Sequence, residues 1–499
     1  MPTADRRHPT ADHWLARLPS PLAIFSLALG GTLLGVTLAK GVQDADYFWH
    51  VTTGRLIAES GRVPTTDPFS FTWAGQPWTL HEWLSELLIH WLTDALGRIG
   101  ALAVFGLVPG AALALLAAML VRQGVGVRAF APAAVLIGAV MTPYVTLRPQ
   151  AVSWLFLAAL LWLLAELRPD RPRRALWLIP FFVVWANLHG LYVVGLGVVG
   201  LYGLFTLLGR TPMRAEWRWV VVAGVGCLLA GMATPAGPAG LVYPLRYIEG
   251  GDWGLANIQE WQSPDFHAAA HWPFLAMIVA LSLNAGRATP AWLVALSWIG
   301  VAMGLVALRN VPVAAVFALP TLALGLEARL AQRRSAPTPR SADPSRALGR
   351  RILELGTALV VVAAALVLLL PRGIGDQAEA RLREKYPVAA VEHLRQHSPD
   401  ANVLAEYGWG GYVIHELYDS GGRVFVDGRN DMYDQRILED YDAIKAAETN
   451  WPQLVDAYGV EAILLAPSAP LTRGPAEAAG WCEAYRDDHQ VLLLRTCPG

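Results

Sequence analysis

The feature that most constrains this chain is a series of apolar runs, each close to the ~20 residues an α-helix needs to cross the hydrocarbon of a bilayer. They cover residues 20–40, 99–121, 129–147, 150–167, 174–188, 190–209, 217–234, 271–286, 289–308, 311–327 and 352–371 of a 499-residue chain. In lipid, each backbone N–H and C=O must be satisfied within its own segment, so the runs predict an α-helical polytopic membrane protein of about eleven transmembrane helices. The run at 174–188 is short, and with its successor at 190–209 it also fits one re-entrant pair. Composition agrees, with 54% apolar and 16% charged residues and a mean hydropathy of +0.38. The net charge of −1, without a basic patch interleaved with aromatics outside the membrane-flanking loops, argues against a nucleic-acid partner.

Lys and Arg favour cytoplasmic loops, and their distribution sets the orientation. With the N-terminus inside, the inside segments carry twenty arginines; the outside segments before the last span carry seven basic residues, Lys40, Arg55, Arg62, Arg98, Arg148, Arg246 and Arg309. The expected order is a cytoplasmic N-terminus (1–19), a transmembrane domain (20–327), a basic, Pro- and Ser-rich cytoplasmic linker (328–351), a last span (352–371) and an outside domain (372–499). The first run exceeds the ~7–15 apolar residues of a signal-peptide core and is read as a retained helix.

This topology puts the unusual polar residues on one side. Arg148 in "LRPQ", His189 in "WANLHG", Arg309 in "RNVP" and the loop 41–98 all face outward. A lone arginine at a helix end usually snorkels to the interface. Several ionisable groups gathered at one leaflet instead predict a polar chamber that tolerates anions. In the loop, "HEWLSELLIHWLTDALG" places Leu84, Leu87, Leu88, Trp91, Leu92 and Ala95 on one helical face and Glu82, Glu86, His90 and Asp94 on the other. Such a helix is expected to lie in the interface plane. Before it stands "GRVPTTDPFSFTWAGQPW", rich in turn residues, and before that "QDADYFWH", with Asp44, Asp46 and His50.

The loop sequence "DADYFWHVTTGRLIAESGRVPTTDPFSFTWAGQPWTLHEWLSE", with "RPQ", "WANLHG", "IQEWQSPDF" and "RNVP", resembles the polytopic C-type (GT-C) glycosyltransferases, the superfamily of protein O-mannosyltransferases, aminoarabinose transferases and oligosaccharyltransferases. The resemblance implies a catalytic aspartate in the first extracytoplasmic loop and a sugar donor carried on a polyprenyl phosphate or pyrophosphate. Carried onto this chain, that aspartate is Asp46 or Asp44, acting as a general base on an acceptor hydroxyl in an inverting transfer. Arg148, Arg309, His189 and His50 would face the leaving lipid phosphate, and His81 and Glu82 would orient the acceptor. Asp44, Asp46 and Glu82 offer oxygen ligands for Mg²⁺ or Mn²⁺, although a D-x-D pattern alone is common. The implied place of work is the outer face of a bacterial cytoplasmic membrane, with membrane lipid as surroundings and a glycan, lipid or protein as acceptor.

After Pro371 the composition becomes that of a soluble α/β domain. Strands are expected at "NVLAEY", "RVFVDG", "AILLAP", "EAYRD" and "VLLLRT", with helices at Val388–His397, "QRILEDYDAIKAA" and "WPQLVDAYG". In "VDGRNDMYD", Asp427, Arg429 and Asp431 could cap strand ends or contact a sugar or the loop. Cys482 and Cys497 flank a hairpin; a turn at His489–Gln490 would place them opposite each other, within reach of a disulfide outside the cell. No P-loop, dinucleotide fingerprint, zinc-type spacing or serine elbow competes. Two other functions fit the same chamber: a transporter or flippase for a lipid-linked or anionic solute, and a catalytically silent scaffold.

Overall fold

A computed structural model describes residues 21–246, 252–286, 289–333 and 374–496. The expected last span (352–371), the N-terminal segment, most of the linker and Cys497 lie outside the described residues.

Each described apolar run forms a helix. With the loop helices α2, α9 and α10 included, the described helices up to residue 333 are, in chain order, α1 (Pro21–Lys40), α2 (Tyr47–Ser60, in the first loop), α3 (Trp83–Arg122), α4 (Val127–Met141), α5 (Pro149–Ala165), α6 (Leu178–Leu188), α7 (Tyr192–Leu207), α8 (Trp217–Ala230), α9 (Ala239–Arg246), α10 (Asp252–Asn257), α11 (Trp272–Asn284), α12 (Ala291–Val306) and α13 (Val311–Arg333). The count of eleven spans is not reproduced as spanning helices. Among the described residues, three are long enough to cross by length and apolar content, Trp83–Arg122, Val127–Tyr144 and Leu308–Arg333. Tyr192–Leu207 and Pro212–Ala230 make a fourth only as one pair, bent by 89°. The remaining apolar helices are shorter because turn-forming residues such as Gly209 and Pro212 cut the runs.

The break in α3 positions the site. At Gly97 the backbone turns to φ 70°, ψ 170°, a conformation open to glycine and strained for other residues. It separates the loop arm 83–96 from the span that follows. Along the arm burial does not divide cleanly into a polar and an apolar face: Leu87 and Ile89 are buried and Asp94 is exposed, as the pattern expects, but apolar residues and an acid depart from it. Leu88 and Trp91 are exposed to the surroundings, and Glu86 is fully buried against the protein.

The tail carries α14 (Ile374–Lys385), α15 (Val388–His397), α16 (Gly410–Leu417), α17 (Gln435–Lys445) and α18 (Trp451–Tyr458) around a five-stranded sheet. The strands are β1 (Asn402–Ala405), β2 (Arg423–Val424), β3 (Ala462–Leu465), β4 (Cys482–Arg486) and β5 (Val491–Leu494), in the order β2-β1-β3-β5-β4. All five overlap the stretches expected from sequence, β4 beginning one residue before its own. The hairpin register differs: Cys482 opposes Leu494, and a bulge lies between Glu483 and Tyr485. The cause is the turn, where the Asp487 carboxylate accepts from the backbone N–H of His489 at 2.8 Å and of Gln490 at 2.9 Å. Cys482 is nonetheless disulfide-bonded.

The tail is docked on the first loop. Val424 N–H donates to the Phe69 carbonyl at 3.2 Å and Phe71 N–H to the Val424 carbonyl at 3.1 Å, so the loop makes a single parallel bridge, Ser70 to Val424, beside β2. Beneath this junction Arg429 is buried. Its guanidinium binds Asp67 at 2.7 Å and Asp427 at 2.6 Å and lies over the rings of Phe69 and Trp78. A buried cation with two carboxylates and two aromatic faces is compensated on every side. The Asp427–Arg429 segment therefore reaches the loop, and strand capping does not account for it.

Candidate active site at the loop, span and tail junction

Three local rules bring the polar residues together. Arg148 precedes Pro149, which excludes the helical region for it and leaves it extended (φ −140°, ψ 142°) at the mouth of α5. Asp46 sits at the N-cap of α2. Arg309 lies in a single 3₁₀ turn, Leu308–Asn310, ahead of Pro312. Each is thus held at a helix end where backbone direction changes.

They enclose a cavity of about 200 Å³ lined by Asp46, His50, His81, Glu82, Arg148, His189 and Arg309, with Tyr407 and Gly428–Asp431 closing it from the tail. Asp44 lies behind Arg148 in a smaller adjoining cavity with Tyr144 and Thr146. The pair left open by the sequence is thereby distinguished by position: Asp46 faces the main chamber and Asp44 does not.

Arg148 does not stand open to an anion as expected. It is ion-paired to Asp46, its Nε is 3.2 Å from Asp44, and its Nη1 lies 2.7 and 2.9 Å from the two oxygens of Glu260. Three carboxylates around one guanidinium make it an organiser of acids. Glu260, in the irregular segment Gln259–Trp261, escaped the sequence reading because no periodicity marks it. Asp46 also accepts from the indole N–H of Trp49 at 3.1 Å. Gly428 fits directly over it, since a Cβ there would fall 1.8 Å from its Oδ1. Burial pushes the Asp44 carboxyl up to about 6 against the pull of Arg148, while Thr146 donates to it at 3.0 Å.

Glu82 occupies the opposite wall. Its Oε2 is 3.7 Å from His189 Nε2 and 3.8 Å from His81 Nε2, and its Oε1 is 3.9 Å from His50 Nδ1. Burial pushes its carboxyl up to about 8 and holds His50 and His189 well below the usual imidazole range. His189 is oriented by Ser153, 3.1 Å from its Nδ1, and by the Leu191 N–H, which donates to the same nitrogen at 3.2 Å. Arg309 stacks on Trp261, 4.6 Å from its centroid.

The oxygen set Asp44, Asp46 and Glu82 does not converge. The two aspartates turn to Arg148, a cation already in place, and Glu82 faces histidines. Among the described residues, the groups whose ligand atoms come within 4.8 Å of one another are His50, Glu82 and Glu86.

No protein-family model and no curated protein matches this sequence. Solved structures do. ArnT from Cupriavidus metallidurans, bound to undecaprenyl phosphate, is 15% identical with a TM-score of 0.54 over 98% of this chain and 99% of that one. The archaeal oligosaccharyltransferase AglB from Archaeoglobus fulgidus, in complex with an inhibitory peptide and a dolichol-phosphate, is 11% identical with a TM-score of 0.57 over 89% of this chain and 69% of that one. The resemblance read from the loop motifs extends across the molecule, and this chain has the fold of the polytopic C-type glycosyltransferases.

Proposed function

We propose that this protein is a membrane glycosyltransferase that takes a sugar from a polyprenyl-phosphate carrier and transfers it, with inversion, to an acceptor hydroxyl on the outer face of a bacterial cytoplasmic membrane. The observation that carries the reading is Asp46, presented by α2 into a chamber that also holds Arg309 and three histidines. The similarity to ArnT with undecaprenyl phosphate and AglB with a dolichol-phosphate supports a lipid-phosphate donor.

In the proposed step the acceptor oxygen attacks the anomeric carbon as its proton passes to a free lone pair of Asp46. Trp49 and Arg148 use two of the roughly four acceptor sites of the carboxylate. The bond from the anomeric carbon to the phosphate oxygen breaks, and the phosphate leaves with the electron pair. Arg309, with the neutral imidazoles of His81 and His189 as hydrogen-bond donors, would receive that charge. Arg148, with Asp44 and Glu260, would hold Asp46 in place.

The test is transfer of labelled sugar from membrane lipid-linked donors by purified protein and by Asp46→Asn and Asp44→Asn variants at equal expression. Asp46→Asn is expected to lower the rate ~10²–10⁴-fold with donor binding retained. Asp44→Asn is expected to retain more activity than Asp46→Asn. Full transfer by both variants would remove the catalytic assignment.

A further inference from the structure

Helices that border the chamber at one end border a second cavity at the other. α5 starts beside Arg148, α7 starts three residues after His189, and α12 ends three residues before Arg309. Past its break at Gly97, α3 likewise runs away from the loop arm. Helices of 16 and 17 residues are ~25 Å long, close to the ~30 Å of bilayer hydrocarbon. Their far ends therefore lie at the leaflet opposite the chamber. There they border an open cleft of about 1210 Å³ walled by Leu164, Phe205 and Leu293, with Gln123, Arg210 and Thr289 among its polar groups.

Two of these polar groups lack a protein partner. Thr289 is buried, at 6% exposure, and its Oγ1 has no hydrogen-bond partner. A buried hydroxyl left unsatisfied is costly, and a partner from outside the chain relieves it. Arg210 is set in place by Gly209, which ends α7 at φ 72° and lets the Arg210 N–H turn back to the Phe205 carbonyl at 2.8 Å. The acids of the neighbouring turns are taken, Glu166 by Arg122 at 2.7 Å and Glu216 by Arg218 at 3.5 Å. Among the described residues no carboxylate pairs with Arg210. Arg171, Arg173, Arg174 and Arg214 stand exposed at the same end of the bundle.

We propose that this cleft binds one anionic phospholipid of the leaflet opposite the chamber. Its volume exceeds the ~300–1,000 Å³ of a pocket for a drug-sized ligand and suits a larger amphiphile. The phosphodiester takes the Arg210 guanidinium and the Thr289 hydroxyl as donors. The acyl chains follow Phe205 and Leu293 outward to Leu204, Leu207 and Leu208, which are exposed at the end of α7 and continue the cleft into the lipid-facing surface. A cation without an acid, among further arginines, selects an anionic headgroup over a zwitterionic one. The apolar walls select a lipid over a free phosphate, which would leave them uncovered. The inference does not depend on the glycosyltransferase reading.

The test is native mass spectrometry of full-length protein released from bilayers of equal phosphatidylglycerol and phosphatidylcholine, followed by competition with glycerol 3-phosphate. The expected result is one phosphatidylglycerol retained in preference to phosphatidylcholine and not displaced by glycerol 3-phosphate. Arg210→Gln is expected to weaken that retention at least ~10-fold, the loss of one charge-assisted hydrogen bond. Ala295→Phe, which fills the cleft without changing charge, is expected to expel the lipid, and Arg174→Gln, the same charge change outside the cleft, to leave it bound. Equal retention of the two lipids by the parent would overturn the proposal. So would equal losses in Arg174→Gln and Arg210→Gln, which would mark a diffuse surface attraction, or full retention by Ala295→Phe. Displacement by glycerol 3-phosphate would make the cleft a site for a free anion and overturn it too.

Discussion

At the scale of single residues, the chamber is governed by compensation of buried charge. Arg429 holds Asp67 and Asp427 together, and removing it strands two carboxylates in the interior. Arg429→Met is expected to cost about 3–5 kcal/mol, measured as a fall in thermal stability and faster proteolysis between loop and tail. Gly428 answers for a different constraint. Gly428→Ala would drive a methyl group into Asp46 and is expected to reduce sugar transfer nearly as far as Asp46→Asn; overpacking of this kind costs ~1–3 kcal/mol, so the fold should survive. Normal transfer by Gly428→Ala would show that the tail can move off Asp46. The sequence left Asp44 and Asp46 both open, because nothing in two acids one residue apart tells which side of a distant arginine each will occupy. Glu260 was hidden for the same reason: its partner Arg148 is over a hundred residues away and meets it only in three dimensions.

Among the elements, the helices and strands were legible because lipid demands long apolar runs and the buried sheet short ones bounded by turn residues. What escaped were the places where such a pattern is interrupted or broken. The bulge at Glu483–Tyr485 changed the hairpin register without any mark in composition. Glu86 falls on the polar face of the helix, and a polar face ordinarily meets water; here Glu86 is buried against the protein while Leu88 and Trp91 are exposed. Gly97→Ala tests the interrupted helix. A side chain at φ 70° costs ~1 kcal/mol, and the loop arm is expected to swing, lowering transfer more than stability. The contact between α2 and α16 has its own pH response. His415, 3.1 Å from the Thr52 hydroxyl, is held down to about 4 by burial, with Arg55 and Arg98 adding to the effect. A depressed imidazole stabilises the fold fully above its unfolded value of ~6.5, and that contribution fades as pH falls from there towards 4. The melting temperature is expected to drop across this interval, and His415→Asn to flatten the drop; an unchanged profile in the variant would assign the acid response to other groups.

For the whole molecule, loop, spans and tail act as one unit around the chamber, with Tyr407 and Gly428–Asp431 contributed by the tail. Membrane segments freed of the tail are therefore expected to lose transfer even if they fold, and added isolated tail to restore it poorly, since the loop and the sheet share a backbone bridge and a buried arginine. Rescue to full rate by the separate tail would make it an independent module. The bridge between loop and sheet has a further effect on association. A sheet with an open edge invites another chain to add a strand, whether an acceptor peptide or a second copy of the same protein. Here residues 69–71 seal the β2 edge from within. Among the described residues, β4, anchored by the disulfide at Cys482, is the edge left for backbone pairing. A peptide that docks by strand addition would thus lie at the opposite border of the sheet from the loop that carries Asp46.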